Sequence, residues 1–368
     1  RASTHPPRPP ASSPSRPFVW ARSAQPLASE AMSIDLSAYG WSGDLPDSDK
    51  RLGRIVRVDR GECDVATADG RVRVLSDSQR SQDLTAPATG DWVLLDDDPE
   101  LGLLISSVLP RSNTVSRRDP SEQVVEQVLV ANVDVVLIVH GLDRPLPPGR
   151  LERFLVVAWD SGAEVAVVLT KADKRGAPVE DVTATISAVA PGVPVLVVGL
   201  GAGGDTGLEP VLAMVGEGRT VALLGESGSG KSTLVNALLG EERLETGEVR
   251  SVDSRGRHTT VSRELVRLAG GGLLVDTPGI RSIGIWDSEE ALDRVFGDLE
   301  ELSSACRYSD CAHDTEPDCA VTTAVADGQM DHRRVDRYRA LRAELEDQRR
   351  REQERERRGH GDRRGRRR

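Results

Sequence analysis

The stretch Gly225-Glu226-Ser227-Gly228-Ser229-Gly230-Lys231-Ser232-Thr233 decides the fold. Its spacing is that of a phosphate-cradling glycine loop, G-x-x-x-x-G-K-[ST]. The apolar run Val221-Ala222-Leu223-Leu224 before it predicts a buried strand. Leu234, Val235, Ala237, Leu238 and Leu239 after it recur at helical spacing. Strand, loop and helix in that order predict a nucleotide-binding α/β sheet. The glycines let the loop fold back so that its N–H groups converge on phosphate oxygens, and the helix N-terminus adds partial positive charge. Lys231 is placed to reach the β- and γ-phosphates, and the Ser232 hydroxyl to hold Mg²⁺.

Lysine usage sharpens this reading. The chain has four lysines, Lys50, Lys171, Lys174 and Lys231, and all its other cationic side chains except histidine are arginine. A lysine kept in such a background points to a place where a guanidinium does not serve. Lys231 is one such place and Lys171 another.

Working backwards, residues 119–224 alternate helical and apolar stretches. Ser121 is placed to cap a helix with Val124, Val125 and Val128 inward. Strands are expected at 133–139, 164–169 and 193–198, and helices at 149–160, 179–189 and 208–214. The alternation implies a parallel sheet with helices on both faces, in which the P-loop strand comes fourth. Thr170-Lys171-Ala172-Asp173 closes the second strand, where such sheets bind ligands. In GTP-binding proteins this loop reads Asn-Lys-x-Asp and holds guanine. An ionised Asp173 accepts from the guanine N1–H and N2–H₂, whereas adenine would present an acceptor to it. Thr170 stands where Asn is usual and brings a shorter side chain with one donor.

Working forwards, Asp276-Thr277-Pro278-Gly279 follows the apolar strand Leu273-Leu274-Val275. Asp276 is expected on Mg²⁺ through water, and the Gly279 N–H on the γ-phosphate. Ile280 comes next, where many GTPases carry a water-orienting Gln, so slow intrinsic hydrolysis is expected. In the polar stretch 253–260, one of Thr259 and Thr260 can close on Mg²⁺ when the γ-phosphate is present. Thr259 is grouped with Ser232 and Asp276 as the magnesium set. His258 is a candidate to position water and Arg257 to stabilise phosphate charge. The motif order places the base loop before the P-loop, so the domain reads as circularly permuted.

Beyond lies Cys306-x₄-Cys311-x-His313-x₅-Cys319. Three thiolates and an imidazole at this spacing match a closed, structural Cys₃His zinc site. A helix from Asp287 or Ser288 to about 303 and a charged helix over 331–357 flank it. Near the start, five short strands within residues 50–118, with a hairpin turn at Asp69-Gly70, suggest a small barrel; an oligonucleotide-binding (OB) or an SH3-like barrel fits equally. Cys63 falls within it as a buried core residue.

The expected architecture is therefore multidomain. It comprises a disordered extension (1–49), an OB-like barrel (50–118), a permuted P-loop domain (119–287), a helical zinc domain (288–345) and a basic tail (346–368). Residues 1–29 contain no acidic residue and are rich in Pro. A transit peptide has such a composition, but the prolines would break an amphipathic helix. Net charge is −11, yet residues 349–368 hold eleven Arg against four acidic residues. Non-specific nucleic-acid binding by the whole surface is thereby disfavoured. The tail fits either phosphate contact or a solvated end. No apolar run approaches the ~20 residues needed to span a bilayer. With no signal-peptide pattern and clustered cysteines, a soluble cytoplasmic protein is expected.

Taken together, residues 50–345 resemble the ribosome small-subunit-dependent GTPase A family (RsgA/YjeQ). The resemblance rests on the barrel, the permuted motif order, Gly256-Arg257-His258-Thr259-Thr260, Asp276-Thr277-Pro278-Gly279-Ile280-Arg281-Ser282 and the Cys₃His spacing. It implies a GTPase (GTP/GDP, Mg²⁺, one Zn²⁺) acting late in assembly of the small (30S) ribosomal subunit and stimulated by it. It further implies barrel and zinc domain on 16S rRNA, a monomer, no membrane, and a catalytic role for His258. Gly199-Leu200 departs from the family, where a Ser-Ala-like base-contacting pair is expected. The alternative is an RNA-binding assembly module with a vestigial nucleotide site.

Overall fold

In the amino-terminal third, β-branched and apolar residues alternate with charged ones at the period of a strand. A computed structural model describes residues 34–44, 49–59, 61–76, 85–99, 102–118, 126–174, 178–201, 204–240, 264–268, 270–276 and 289–365. Its first five strands are β1 (Arg51–Val58), β2 (Glu62–Thr67), β3 (Gly70–Leu75), β4 (Trp92–Asp98) and β5 (Gly102–Val108). They pair in the order β1-β2-β3-β5-β4, and β4 returns to β1 to close a barrel. The single β3–β5 register pair, Leu75 with Leu104, is parallel. This closed five-stranded arrangement is the OB type. Ile55, Val65, Val74, Val93, Leu95 and Ile105 fill it together with Cys63. Burial pushes the Cys63 thiol up to about 12, so it behaves as a small apolar residue.

Of the helix expected from Ser121, Ser121, Val124 and Val125 lie outside the described residues, and Val128 lies in a strand. Strand β6 (Thr114–Arg118) pairs antiparallel with β7 (Glu126–Ala131), and Leu129, Val130 and Ala131 are buried. Val128, Leu129 and Val130 are consecutive, so both sides of this segment are apolar, and cross-strand packing overrides the helical spacing.

The central domain follows as β8 (Val135–Gly141), α1 (Pro148–Asp160), β9 (Glu164–Thr170), α2 (Val179–Val189), β10 (Val195–Val197), the small pair β11 (Gly199–Gly201) and β12 (Gly204–Thr206), α3 (Leu208–Val215), β13 (Thr220–Leu224), α4 (Lys231–Leu239), β14 (Glu264–Arg267) and β15 (Leu273–Asp276). The strand order is β10-β9-β8-β13-β15-β14, all parallel except β14. Alternation within β8 sends Val135, Leu137 and Val139 to the side of α3 and α4. Val136 and Ile138 face the opposite side, with α1 and α2.

The carboxy-terminal helices are α5 (Glu289–Val295), α6 (Gly297–Ser303), α7 (Ala320–Ala326) and α8 (His332–Gly365). The single helix expected to about 303 breaks at Phe296, before Gly297, a poor helix former. Phe296 is fully buried and meets the Tyr338 ring edge-on, with centroids 5.3 Å apart. Helix α8 continues past residue 357 into the stretch expected as a separate tail.

Two buried ionic hubs join these parts. Arg54 of β1 is 2% exposed. Its guanidinium donates to Gly90 O (3.2 Å), Asn132 O (3.1 Å), Thr220 Oγ1 (2.8 Å) and Tyr39 O. One fork thus ties the barrel to the start of the P-loop strand and to the 3₁₀ turn Leu36–Tyr39. Leu36 and Tyr39 are themselves core residues, so the expected disordered extension does not reach residue 49. Burial lowers the Arg54 pKa to about 10, with Asp134 and Asp91 opposing, which leaves it charged at neutral pH. The second hub is Glu152 of α1, fully buried, which accepts from Arg334 and Arg337 of α8 at 2.6–3.0 Å. Among the described residues, no helix is long and apolar enough to cross a membrane.

Candidate nucleotide site and metal centre

Strands β8, β9, β13 and β15 end on one edge of the sheet, where an open parallel sheet binds ligands. The loop between β13 and α4 turns through left-handed backbone at Gly225 (φ +150°), Gly228 (+75°) and Gly230 (+92°). A Cβ at Gly225 would lie 2.4 Å from Val139 O, and one at Gly230 would lie 2.6 Å from Thr170 Oγ1. Glycine is therefore required both for the turn and for its seat against β8 and β9. The loop runs directly into α4, with Ser232 and Thr233 in its first turn, and a helix N-terminus after a glycine loop is where phosphates bind. The Lys231 ammonium folds over the loop, bonding Gly225 O at 2.7 Å and Glu226 O at 2.6 Å.

The base loop lies against this cradle. Thr170 is 1% exposed, and its hydroxyl donates to Ser229 O at 2.5 Å, with His140 O at 3.3 Å. Lys171, with φ +61°, bonds Gly228 O at 2.6 Å and Asp143 Oδ2 at 2.7 Å. Burial raises the Asp143 pKa, but the Lys171 and Arg144 cations outweigh it and hold the carboxyl below its usual value. Arg144 bonds Ser227 O and Gly228 O (3.4 and 3.2 Å), and Arg150 pairs with Glu226 at 2.8 Å. Asp173 is exposed beside the β11–β12 hairpin; a Cβ at Gly201 would lie 2.6 Å from its Oδ2. Gly199 and Leu200, expected as a departure from a base-contacting pair, form the backbone of that hairpin. Asp276 ends β15 beside the P-loop strand, with Val275 in register with Ala222. His258, Thr259, Thr260 and Gly279 lie outside the described residues.

The four sulfur and nitrogen ligand candidates converge as their spacing predicts. Cys306, Cys311, His313 and Cys319 present ligand atoms all within 4.8 Å of one another. Cys306 Sγ lies 3.8 Å from Cys319 Sγ, and His313 Nδ1 lies 3.7 and 3.5 Å from these two sulfurs. Zn–S and Zn–N bonds at tetrahedral angles require edges of about 3.8 and about 3.6 Å, so the cluster fits zinc. With Nδ1 facing the cluster, Nε2–H donates to Ser303 Oγ (2.9 Å), which donates to Leu299 O (2.8 Å). This relay fixes the ring and its tautomer. Burial raises the Cys319 pKa, but bonds from Thr322 and His313 outweigh it and bring the thiol down to about 6.

Comparison with known proteins bears on this geometry directly. The model of the RsgA GTPase family matches residues 108–286. The small ribosomal subunit biogenesis GTPase RsgA of Streptomyces avermitilis is 43% identical over 331 residues, covering 87% of this chain and 88% of its own. This chain belongs to the RsgA GTPase family. The RsgA of Streptomyces coelicolor is 44% identical over 318 residues, covering 83% and 85% of the two chains. Among solved structures, YjeQ from Thermotoga maritima superposes with a TM-score of 0.57 at 27% identity, covering 80% of this chain and 98% of its own. YloQ, described as a circularly permuted GTPase, shares the fold at a TM-score of 0.54 and 24% identity, with 83% and 98% covered. As an RsgA GTPase the chain hydrolyses GTP, and the family implies a guanine nucleotide with Mg²⁺ as its ligands.

Four site residues of this RsgA chain were not foreseen from sequence: Asp143, Arg144, Arg150 and Ser303. Asp143 and Arg144 carry a weak signal, since they follow the end of a buried strand at the ligand edge. Ser303 and Arg150 carry none, because their partners are set by helix packing.

Proposed function

We propose that this chain is a GTP-driven switch acting late in maturation of the small (30S) ribosomal subunit, with hydrolysis stimulated by the docked subunit. The observation that carries the reading is the seating of Thr170 and Lys171 on P-loop carbonyls of Ser229 and Gly228. It unites a base loop and a phosphate loop in permuted chain order. Its relatives' names, small ribosomal subunit biogenesis GTPase, supply the partner.

In this reading the P-loop N–H groups and Lys231 hold phosphate oxygens. Ser232 and Asp276, joined by Thr259, hold Mg²⁺, which supplies charge neutralisation of the phosphates. Asp173 reads the base, with the Lys171 stem packed over it. Gly279 and the 253–260 segment respond to the γ-phosphate, and His258 positions the attacking water in place of the missing Gln. Cys306, Cys311, His313 and Cys319 hold one structural zinc ion. The barrel (50–118) and the zinc domain (288–345), flanking the GTPase domain (119–287), contact 16S rRNA. The protein acts as a cytoplasmic monomer.

The test is GTP hydrolysis by the purified protein, alone and with small ribosomal subunits, beside Lys231→Ala. A large stimulation absent from the variant is expected. Subunit binding without any GTP turnover would overturn the switch and favour an RNA-binding module with a vestigial site.

A further inference from the structure

Thr170 stands where a GTPase base loop usually carries asparagine, and its bonding determines what it can read. A threonine hydroxyl has one proton to donate. Here that proton goes to Ser229 O at 2.5 Å, in a pocket where the side chain is 1% exposed. The second oxygen within reach, His140 O at 3.3 Å, is also an acceptor. The hydroxyl therefore presents only lone pairs to anything else that approaches it.

The orientation of a bound base follows from the loop. Phosphates on the P-loop require the sugar-bearing five-membered ring to point toward that loop. The N1–H and N2–H₂ edge then reaches Asp173, at the exposed end beside Gly201. Thr170, which touches the P-loop, stands at the five-membered-ring end. On that side guanine presents N7 and O6, both acceptors. An acceptor-only hydroxyl gives them nothing.

We propose that Thr170 is a latch between the base loop and the P-loop, and that this chain does not read guanine N7 through residue 170. The inference rests on the guanine-site reading above. It makes Thr170 a specificity-determining position: the donor edge of guanine is selected by Asp173, and N7 is unread. An asparagine here has two amide protons, one for Ser229 O and one for N7.

The experiment measures the dissociation constants of GDP, 7-deaza-GDP and ADP for the wild-type protein and for Thr170→Asn, by calorimetry with Mg²⁺ present. In 7-deaza-GDP a C–H replaces N7, and nothing else at the base edge changes. The wild type is expected to bind GDP and 7-deaza-GDP within about twofold of each other. Thr170→Asn is expected to prefer GDP about five- to tenfold, the effect of one added hydrogen bond of ~1–1.4 kcal/mol. A wild-type preference for GDP of fivefold or more would overturn the proposal. So would a well-folded Thr170→Asn protein that binds the two ligands equally. GDP and ADP binding equally to the wild type would instead overturn the guanine-site reading itself, and the proposal with it.

Discussion

Removing the Glu152 carboxylate tests how the carboxy-terminal helices are held to the GTPase domain. Glu152 is fully buried and accepts three hydrogen bonds from Arg334 and Arg337. Truncating one partner of a buried ionic cluster leaves the other charges uncompensated, at a cost of about 3–5 kcal/mol. Arg334 keeps its paired contact with Asp298, at 2.6 and 2.7 Å, so the lower end applies. A loss of about 3 kcal/mol corresponds to roughly a hundredfold in an equilibrium constant. In Glu152→Ala, amide hydrogen exchange along α8 near Val335, Tyr338 and Leu341 should therefore speed up by about that factor, through undocking of the helix. Arg153→Ala is the comparator. Its pair with Glu344 is more than a third exposed on both sides, so the expected loss is under about 1 kcal/mol and the speed-up under about fivefold. Unchanged α8 exchange in Glu152→Ala, or equal effects in the two variants, would refute the assignment of Glu152 as the hub.

Ser303→Ala should weaken zinc binding about tenfold, measured by competition with a chromophoric chelator, because the His313 ring loses its orienting partner. Unchanged affinity would remove the relay from the account. Burial lowers the His140 pKa, so the folded state keeps the imidazole neutral. Its contribution to stability is then complete above the unfolded value of about 6.5 and is lost as the pH falls through the lower folded value. Between pH 7.5 and 5 the thermal midpoint of the wild type should fall further than that of His140→Gln; parallel declines would show that His140 is not the group responsible. Lys231→Ala should retain the fold and lose GTP turnover, since the ammonium's bonds to Gly225 O and Glu226 O lie within the phosphate loop and not in the core.

The success of local reading varied with the range of the contacts. The P-loop was legible because its residues are consecutive: the glycines, Lys231 and Ser232 stand together in one loop and the helix turn after it. The Cys₃His cluster was legible for the same reason, with all four candidate ligands between Cys306 and Cys319. At Val128 the spacing predicts a helix where the structure has a strand, because the run Val128-Leu129-Val130 is apolar on both faces and only the partner Thr114–Arg118 decides between the two. Helix α8 ran past its expected end because the change of charge in the tail does not by itself stop a helix.

The sequence alone determined the nucleotide class, the permuted order and the Cys₃His cluster, because each rests on residue types at short fixed spacings. Only the tertiary structure decided how these parts act on one another. Arg54 joins four chain segments, with Thr220 lying 166 residues away, and Glu152 meets Arg337 across 185. No periodicity marks either residue, since burial of a charge depends on partners brought together by packing. The role of Thr170 was decided in the same way. Its identity is in the sequence, but the carbonyl that takes its one proton lies 59 residues further on.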